Sequence, residues 1–172
     1  MKYTVPTQAI TSANTSINAK RLPAVFTKVD FKPFTTNLDI GGGKFDNATE
    51  HLETKGVESK IYDPFNRSTE HNESVLDWAV IGGVDTVTCS NVLNVISEHS
   101  ARLCTISLAS DVIKKGGKAY FSIYEGNKSG IGKATKAGYQ NNKKTNDYIF
   151  EINTVFPFAV VTRKGNIITV ET

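Results

Sequence analysis

The sequence predicts an α/β protein with a doubly wound, mostly parallel sheet and an antiparallel hairpin at its C-terminal end. Between residues 37 and 124, short apolar runs and helical patterns alternate four times, which is typical of parallel strands joined by helices. The run "DTVTCSNVL" is β-branched and almost continuously apolar, as expected of a strand that is covered on both faces. Two further apolar runs flank Lys164 and Gly165 and predict the hairpin.

The N-terminal region differs in character from the rest of the chain. Residues 1–15 are polar and rich in Ser and Thr, which predicts a loose arm. The stretch "SINAKRLPAVFTKVDF" then predicts a short basic amphipathic helix that Pro23 interrupts. We therefore expect an N-terminal arm and helix over residues 1–36 and a single globular domain over residues 37–172.

Within the globular domain, turn and capping residues mark the ends of the elements. Strands are predicted at residues 37–40, 59–63, 85–93 and 118–124, and the C-terminal hairpin lies within residues 158–171. Helices are predicted at residues 47–56, from Ser68 or Thr69 to Gly82, and at 97–117, where two glycines end the last of them. The polar, Gly- and Lys-rich segment 126–146 is predicted as a loop, and residues 147–156 fit a helix or a strand.

The composition argues against several classes of protein. The net charge of +3 is mildly basic and permits an anionic partner without requiring one. Cys89 and Cys104 form no CxxC pair, so we expect neither a disulfide framework nor a metal site. No run approaches the ~20 apolar residues that cross a bilayer, and the N-terminal residues lack the apolar core of a signal peptide. We expect no membrane association and a cytoplasmic location.

The segment "DIGGGKFD" carries the clearest functional signal. Its glycines directly follow the first predicted strand, where a parallel sheet binds ligands and where a missing Cβ lets a ligand approach the backbone. Asp63 closes the next strand, 24 residues after Asp39, which is the distance expected for one strand–helix–strand unit. A carboxylate at that point can accept both hydroxyl groups of a ribose. The two features together indicate a nucleoside-containing cofactor.

The same segment distinguishes between cofactors. A dinucleotide fingerprint requires GxGxxG, but Asp46 occupies the place of the third glycine. Asp39 would also repel a pyrophosphate, whereas it suits a cofactor that carries an amine and a sulfonium. An NAD-dependent or nucleotide-sugar enzyme is therefore the less favoured alternative.

The pattern D-x-G-x-G after one strand, with an acid after the next, resembles motifs I and II of the class I S-adenosylmethionine-dependent methyltransferases. "DTVTCSNVLNVISE" and "GGKAYFSIYEG" resemble the fourth and fifth strands of that family, so the likeness covers about residues 37–172. A narrower likeness links "DIGGGKFD", "YDPFNRS", "SNVLNVI" and "KATKAGYQNNKKT" to phage-borne and DNA-phosphorothioation-associated methyltransferase-like proteins. The resemblance implies a Rossmann-like fold, although residues 63–85 leave little room for the usual third strand.

The resemblance also implies roles for individual residues. The cofactor S-adenosyl-L-methionine would be bound by Asp39, Gly41, Gly42, Gly43, Asp63, Pro64, Phe65 and Asn91. Asn91, Asn94 and Tyr124 would lie near the transferred methyl group and position the acceptor in catalysis. For the glycines, the alternative is a tight turn that binds no ligand. For the asparagines, the alternative is capping of the turn at the end of the strand. Arg67, His71 and Asn72 fit the first turn of a helix better than a ligand contact.

The segment after the fifth strand of the family is rich in lysine and free of acids between residues 126 and 146. Lys133, Lys136, Gln140 and Lys143 could hold an anionic acceptor such as DNA or RNA, although a solvated loop has the same composition. Two functions stay open at this stage. The first is a methyltransferase, and the second is a non-catalytic cofactor-binding or degenerate module that acts through a protein partner.

Overall fold

The computed structural model of the protein describes residues 5–11, 21–136 and 138–172, and strands alternate with helices along it. The strands are β1 (Thr36–Ile40), β2 (Glu58–Tyr62), β3 (Val84–Ser90), β4 (Ile113–Ser122), β5 (Lys133–Thr135), β6 (Gly138–Gln140), β7 (Val160–Lys164) and β8 (Ile167–Glu171). The helices are α1 (Val25–Lys28), α2 (Asn47–Glu53), α3 (Thr69–Gly82), α4 (His99–Val112) and α5 (Ile149–Val155), and 3-10 turns lie at Leu93–Val95 and Thr145–Tyr148.

Six strands form the central sheet in the order β2-β1-β3-β4-β8-β7. β1 pairs in parallel with β2 and β3, β3 pairs in parallel with β4, and β8 runs antiparallel to both β4 and β7. The predicted fold class is therefore confirmed, including the C-terminal antiparallel hairpin. β2 is an edge strand of this sheet in the part of the chain that the structure describes, and the usual third strand does not follow it there.

Apolar side chains cover both faces of the sheet, which explains the nearly continuous apolar character of β3. One cluster, on the side of α3, α4 and α5, includes Leu38, Val87, Ile106 and Ile152. A second cluster, formed by Val25, Phe26, Phe31, Ala48, Leu52, Val57, Tyr120 and Ile167, packs α1 and α2 on the other side. Burying an aliphatic or aromatic side chain of this size contributes about 2 kcal/mol, so α1 is held by packing rather than by its length.

The N-terminal prediction differs from the structure where the two can be compared. Within the predicted helix, only Val25–Lys28 is helical among residues 21–31. Pro23 lies two residues before this single turn, and its carbonyl accepts a hydrogen bond from the N–H of Phe26 at 3.1 Å. The parts of the predicted arm and helix at residues 1–4 and 12–20 lie outside the described residues.

The boundary between α4 and β4 was also predicted wrongly. The helix ends at Val112, and Ile113 already pairs with Val84, so the predicted helical residues 113–117 belong to the strand. The register then jumps to Thr86 opposite Lys118 across an irregularity that contains both glycines. A Cβ on Gly117 would lie 2.8 Å from the carbonyl oxygen of Asp85, so this glycine permits close strand contact rather than ending a helix.

The segment 126–146 is not entirely a loop, because β5 and β6 form a small antiparallel hairpin within it. The ambiguous segment 147–156 is largely helical. A buried ion pair selects the helix: Arg102 Nε and Nη2 donate to the two carboxylate oxygens of Glu151 at 2.8 and 2.7 Å. Arg102 Nη1 donates to the carbonyl oxygens of Ile96 and Ser97 at 3.0 and 2.8 Å, so the buried guanidinium is well supplied with acceptors.

Candidate functional site

A cleft of about 970 Å³ lies at the carboxyl edge of the parallel strands. The turns that follow β1 and β2, the ends of β3 and β4, and the β5–β6 hairpin form its walls. All the residues predicted to bind the cofactor line this cleft, as do the three predicted catalytic residues. The topology brings them together because parallel strands end at the same edge of a sheet.

The glycine turn after β1 is built around the carboxylate of Asp39. A Cβ on Gly42 would lie 2.3 Å from Asp39 Oδ2, so only glycine leaves room for the carboxylate under this turn. Gly41 adopts a φ of 73°, and a Cβ there would lie 2.4 Å from a methyl group of Val92. The turn therefore requires glycine at both positions: Gly41 because of its backbone conformation and the nearby Val92, and Gly42 because of the buried carboxylate.

Asp39 is only 2 % exposed, and its Oδ1 accepts a hydrogen bond from the hydroxyl of Thr88 at 2.7 Å. Within the described residues, Oδ2 accepts no hydrogen bond. Burial raises the pKa of Asp39 from 3.8 to about 7, an effect that Thr88 opposes and that the negative charge of Asp63 reinforces. A bound cation at Oδ2 would supply the stabilisation that the ionised carboxylate lacks.

Asp63 organises the second turn of the cleft. Its Oδ1 accepts hydrogen bonds from the backbone N–H groups of Phe65 and Asn66, both at 3.0 Å. Its Oδ2 accepts from the N–H of Gly43 at 2.9 Å, and the side chain of Asn66 contacts both oxygens. The carboxylate thus ties the two cofactor turns together, and a ribose hydroxyl would have to share or replace one of these donors. Ribose binding by Asp63 stays a prediction.

The residues after β2 that were interpreted as a helix turn support this arrangement from behind. Asn72 is buried, and its side chain accepts from the N–H of Asp63 at 2.9 Å and donates to the carbonyl oxygen of Asp63 at 3.0 Å. Arg67 Nε donates to the carbonyl oxygen of Gly43 at 2.8 Å, and Nη2 pairs with Asp46. A ring nitrogen of His71 lies 2.8 Å from the carbonyl oxygen of Ile61. These side chains position the backbone of the cleft.

At the end of β3, Asn91 adopts a φ of 59°, and its backbone N–H donates to the carbonyl oxygen of Ser122 at 2.9 Å. The adjacent Ser90 Oγ is a buried polar atom of the cleft wall without a hydrogen-bond partner in the described chain. Asn94, in contrast, is 1 % exposed, and its side chain contacts Gln140 Oε1 at 3.1 Å and the N–H of Tyr124 at 3.3 Å. The side-chain contacts of Asn94 thus hold the wall, and Ser90 and Asn91 line the cleft near it.

The predicted acceptor residues separate into two groups. Lys136 and Gln140 line the cleft, and Gln140 Nε2 donates to the carbonyl oxygen of Tyr124 at 2.9 Å. Lys133 is exposed on β5 and does not line the cleft. Lys143 does not line the cleft either. Its Nζ lies 5.9 Å from the ring centroid of Tyr148.

Sequence reasoning missed the contribution of the N-terminal region. Val5, Pro6 and Gln8 line one side of the cleft, together with Arg21 and Leu22. The N–H of Ala9 donates to Glu98 Oε1 at 2.9 Å and anchors this part of the arm next to α4. Nothing local in the sequence signals this placement, because the contact spans 89 residues.

Two searches of the described residues gave negative results. None of the helices in the described ranges combines the length and the apolar character needed to cross a membrane. Residues 5–11, 21–136 and 138–172 also contain no cluster of three or more His, Cys, Asp or Glu side chains arranged to hold a metal ion.

Solved structures share this architecture. The fold is similar to that of the Burkholderia thailandensis 1,6-didemethyltoxoflavin-N1-methyltransferase with bound S-adenosylhomocysteine, at a TM-score of 0.59 and 13% identity, over 82% of this chain and 72% of that one. A Clostridium acetobutylicum S-adenosylmethionine-dependent methyltransferase matches at a TM-score of 0.54 and 14% identity, over 86% and 85% of the two chains. The mitomycin 7-O-methyltransferase MmcR matches at a TM-score of 0.54 and 13% identity, over 86% of this chain and 51% of its own.

These likenesses show the fold, which is that of S-adenosylmethionine-dependent methyltransferases. The match covers only 51% of MmcR, so about half of that protein has no counterpart in this chain. No family model and no curated protein matches the sequence. The function must therefore be argued from the cleft itself.

Proposed function

We propose that the protein is an S-adenosylmethionine-dependent methyltransferase with an anionic acceptor. The observation that carries this proposal is the buried carboxylate of Asp39 beneath the glycine turn. Its Oδ2 accepts no hydrogen bond from the described residues, and burial raises its pKa to about 7. The amine of an aminoacyl group supplies a positive charge and several N–H donors at once, whereas a pyrophosphate would be repelled.

Two further features of the cleft fit the same cofactor. Asp63 lies at the end of the neighbouring strand, where its carboxylate can share a donor with a ribose hydroxyl. Pro64 and Phe65 extend the apolar wall beyond it, which suits an adenine ring. The proposed cofactor also accounts for the steric requirement at Gly42, because a side chain there would displace the carboxylate that binds the amine.

When bound, S-adenosylmethionine supplies a methyl group on a positively charged sulfur that a nucleophile can attack in line. The protein contributes alignment and exclusion of water, which can lower the barrier by several kcal/mol without covalent catalysis. The fixed Asn94–Gln140–Tyr124 hydrogen bonds hold the wall at the ends of β3 and β4 in one geometry. We propose that Asn91 projects from this wall to orient the acceptor.

The charges at the mouth of the cleft support an anionic acceptor, with nucleic acid as the leading candidate. Arg21 and Lys136 both line the cleft, and neither has an ion-pair partner in the part of the chain that the structure describes. The narrower sequence likeness to DNA-phosphorothioation-associated proteins supports the same acceptor class. We further propose that residues 37–172 form a single globular domain that holds the cofactor, preceded by an N-terminal arm and helix over residues 1–36.

A non-catalytic cofactor-binding module that acts through a protein partner is the second candidate. Asn94 favours it, because the structure gives this predicted catalytic side chain a role in the wall of the cleft. The two candidates share the cofactor and differ in turnover. Release of S-adenosylhomocysteine in the presence of an acceptor separates them.

The proposal is tested by calorimetric titration of the protein with S-adenosylmethionine and, separately, with NADH. We expect micromolar binding of S-adenosylmethionine and no measurable binding of NADH. Asp63→Asn should weaken the binding, since the amide cannot accept all the donors that the carboxylate accepts. Failure of the folded protein to bind S-adenosylmethionine would contradict both candidate functions.

A further inference from the structure

The acceptor half of the cleft contains polar groups that the fold itself does not use. Ser90 Oγ is buried without a hydrogen-bond partner in the described chain, and the neighbouring Asn91 holds a left-handed φ of 59°. Asparagine adopts this conformation more readily than most other residues, and residues in it cluster at ligand sites. A carboxamide and a hydroxyl side by side offer both donors and acceptors to a single flat molecule.

Aromatic and amide side chains line the cleft together with these two groups. Tyr124 and Tyr139 line the same region and present aromatic rings. Gln140 lies between them, and its carboxamide is fixed by Asn94 at 3.1 Å and by the carbonyl oxygen of Tyr124 at 2.9 Å. Aromatic rings that stack and amides that read hydrogen-bonding edges are the groups with which proteins recognise an unpaired nucleobase.

The acidic side chains near the acceptor half already have partners. Glu125 accepts hydrogen bonds from the N–H and hydroxyl of Thr145 at 2.8 and 2.9 Å and pairs with Lys128. The backbone N–H of Thr145, together with Lys128, lowers the pKa of Glu125 to about 2. Glu98 accepts from the N–H of Ala9, which lowers its pKa in the same way. Neither carboxylate is suited to remove a proton from an alcohol at neutral pH.

The two acids that line the cleft lie at its cofactor end. Asp39 is enclosed beneath the glycine turn and Asp63 is bonded to the backbone of both turns. Residues 1–4, 12–20 and 137, which the structure does not describe, include no His, Cys, Asp or Glu in the sequence. The groups at hand therefore suit a nucleophile that carries its lone pair at neutral pH, such as a ring nitrogen or a neutral amino group.

The entrance favours a single base rather than a paired duplex. Val5, Pro6 and Gln8 of the arm line the cleft, as do Thr135, Lys136 and Tyr139 of the hairpin. A smaller hollow, bounded by residues 9–11 and by the hairpin, shows that these two segments face each other. Arg21 and Lys136 lie at this entrance, where they can pair with phosphate oxygens.

We propose that the methyl acceptor is a nitrogen atom of a nucleobase that enters the cleft singly, as a free nucleotide or as part of an unpaired strand, and that Asn91 positions it. This inference rests on the proposed methyltransferase function. The nitrogen lone pair forms the new N–C bond while the C–S bond breaks. The electron pair of the C–S bond stays on sulfur, so that S-adenosylhomocysteine is the second product. Any proton on the methylated nitrogen passes to water.

The test uses the full chain, methyl-labelled S-adenosylmethionine and a panel that contains all four bases in each form. The panel comprises the ribonucleoside and deoxyribonucleoside monophosphates, single-stranded DNA and RNA oligonucleotides, and the same DNA sequences as duplexes. Products are digested to nucleosides and the labelled atom is identified by mass spectrometry. We expect label on a base nitrogen, with free or single-stranded acceptors methylated at least about tenfold faster than duplexes.

Three variants connect the label to the cleft. Asn91→Gly keeps the left-handed backbone and removes only the carboxamide, so kcat/KM for the acceptor should fall by about tenfold or more. Lys136→Ala should raise KM for phosphate-bearing acceptors and reduce the salt dependence of binding by about one ion. Lys115→Ala removes an exposed lysine at the opposite edge of the sheet and should change neither value.

Label on an oxygen or carbon atom would overturn the inference. So would the absence of label from the whole panel, or equal effects of the Lys136 and Lys115 substitutions. Titration of the same preparations with S-adenosylmethionine keeps the two proposals apart. Cofactor binding without base methylation refutes only the acceptor, whereas loss of cofactor binding refutes the methyltransferase function on which the acceptor depends.

Discussion

Replacement of Asp39 by asparagine tests the physical basis of the cofactor site. Burial raises the pKa of this carboxyl from 3.8 to about 7, so the folded protein holds the proton more tightly than the unfolded chain. Ionisation of Asp39 therefore destabilises the fold. The cost begins as the pH rises above 3.8 and levels off once the pH passes about 7.

These pKa values give the size of the effect. At 1.36 kcal/mol for each pKa unit, the raised pKa of Asp39 costs about 2 kcal/mol at pH 5, where the unfolded chain is ionised and the folded protein holds the proton. It costs about 4 kcal/mol at pH 8, where the carboxyl is ionised in both states. The asparagine side chain has nearly the same shape as that of Asp39, can still accept the hydrogen bond from Thr88, and does not ionise. The stability of the Asp39→Asn variant relative to the wild type should thus rise by about 2 kcal/mol between pH 5 and pH 8.

Urea unfolding of both proteins without ligand, at pH 5 and at pH 8, measures this difference. Asp85→Asn is the matched control. Although burial opposes the shift, hydrogen bonds from Lys114 and Thr36 lower the pKa of Asp85. Asp85 is therefore ionised at both pH values, and its substitution should cost the same free energy at each. A pH-independent difference between Asp39→Asn and the wild type would refute the reasoning.

Three other substitutions probe the supports of the site. Arg102→Met removes the main partner of the buried Glu151 carboxylate and leaves only His99, whose Nδ1 lies 3.2 Å from Oε1, so the free energy of unfolding measured in urea should fall by about 3 kcal/mol; a loss below about 1 kcal/mol would contradict the burial of the pair. Gly42→Ala places a methyl group 2.3 Å from a buried carboxylate oxygen and should abolish cofactor binding in calorimetry, whereas Gly82→Ala, with no atom within 4 Å, should leave it unchanged. Asn72→Ala removes three hydrogen bonds to the backbone of the second turn, and we expect about 1–3 kcal/mol lower stability together with weaker cofactor binding; normal binding by this variant would show that the turn holds its shape without them.

Features encoded by neighbouring residues could be predicted from the sequence. The strand ending at Ile40, the glycine turn and the carboxylate closing β2 all follow from short patterns, and the alternation of elements then brings them to one edge of the sheet. The same local logic predicted the start of α3, where Ser68 Oγ accepts a hydrogen bond from the N–H of His71. It predicted the third strand over residues 85–93, however, whereas β3 ends at Ser90 and Asn91 follows it.

Features that depend on distant partners could not be predicted in this way. Gly116 and Gly117 have the composition of a helix stop, but the pairing of Ile113 with Val84 extends the strand through them. The contacts of Asn94 with residues 124 and 140 could not be foreseen either, and its predicted role in catalysis stays a prediction. The arm joins the cleft through the contact between Ala9 and Glu98, which no periodic pattern reveals.

The central claim is that the cleft binds S-adenosylmethionine through the pairing of its amine with Asp39. Calorimetry at pH 8 with S-adenosylmethionine and with methylthioadenosine, which lacks the aminoacyl group, tests it in the wild type and in Asp39→Asn. We predict that the variant binds S-adenosylmethionine at least about tenfold more weakly, while the affinity for methylthioadenosine stays within about twofold. Equal affinity of both proteins for S-adenosylmethionine, or no binding by the folded wild type, would contradict the claim.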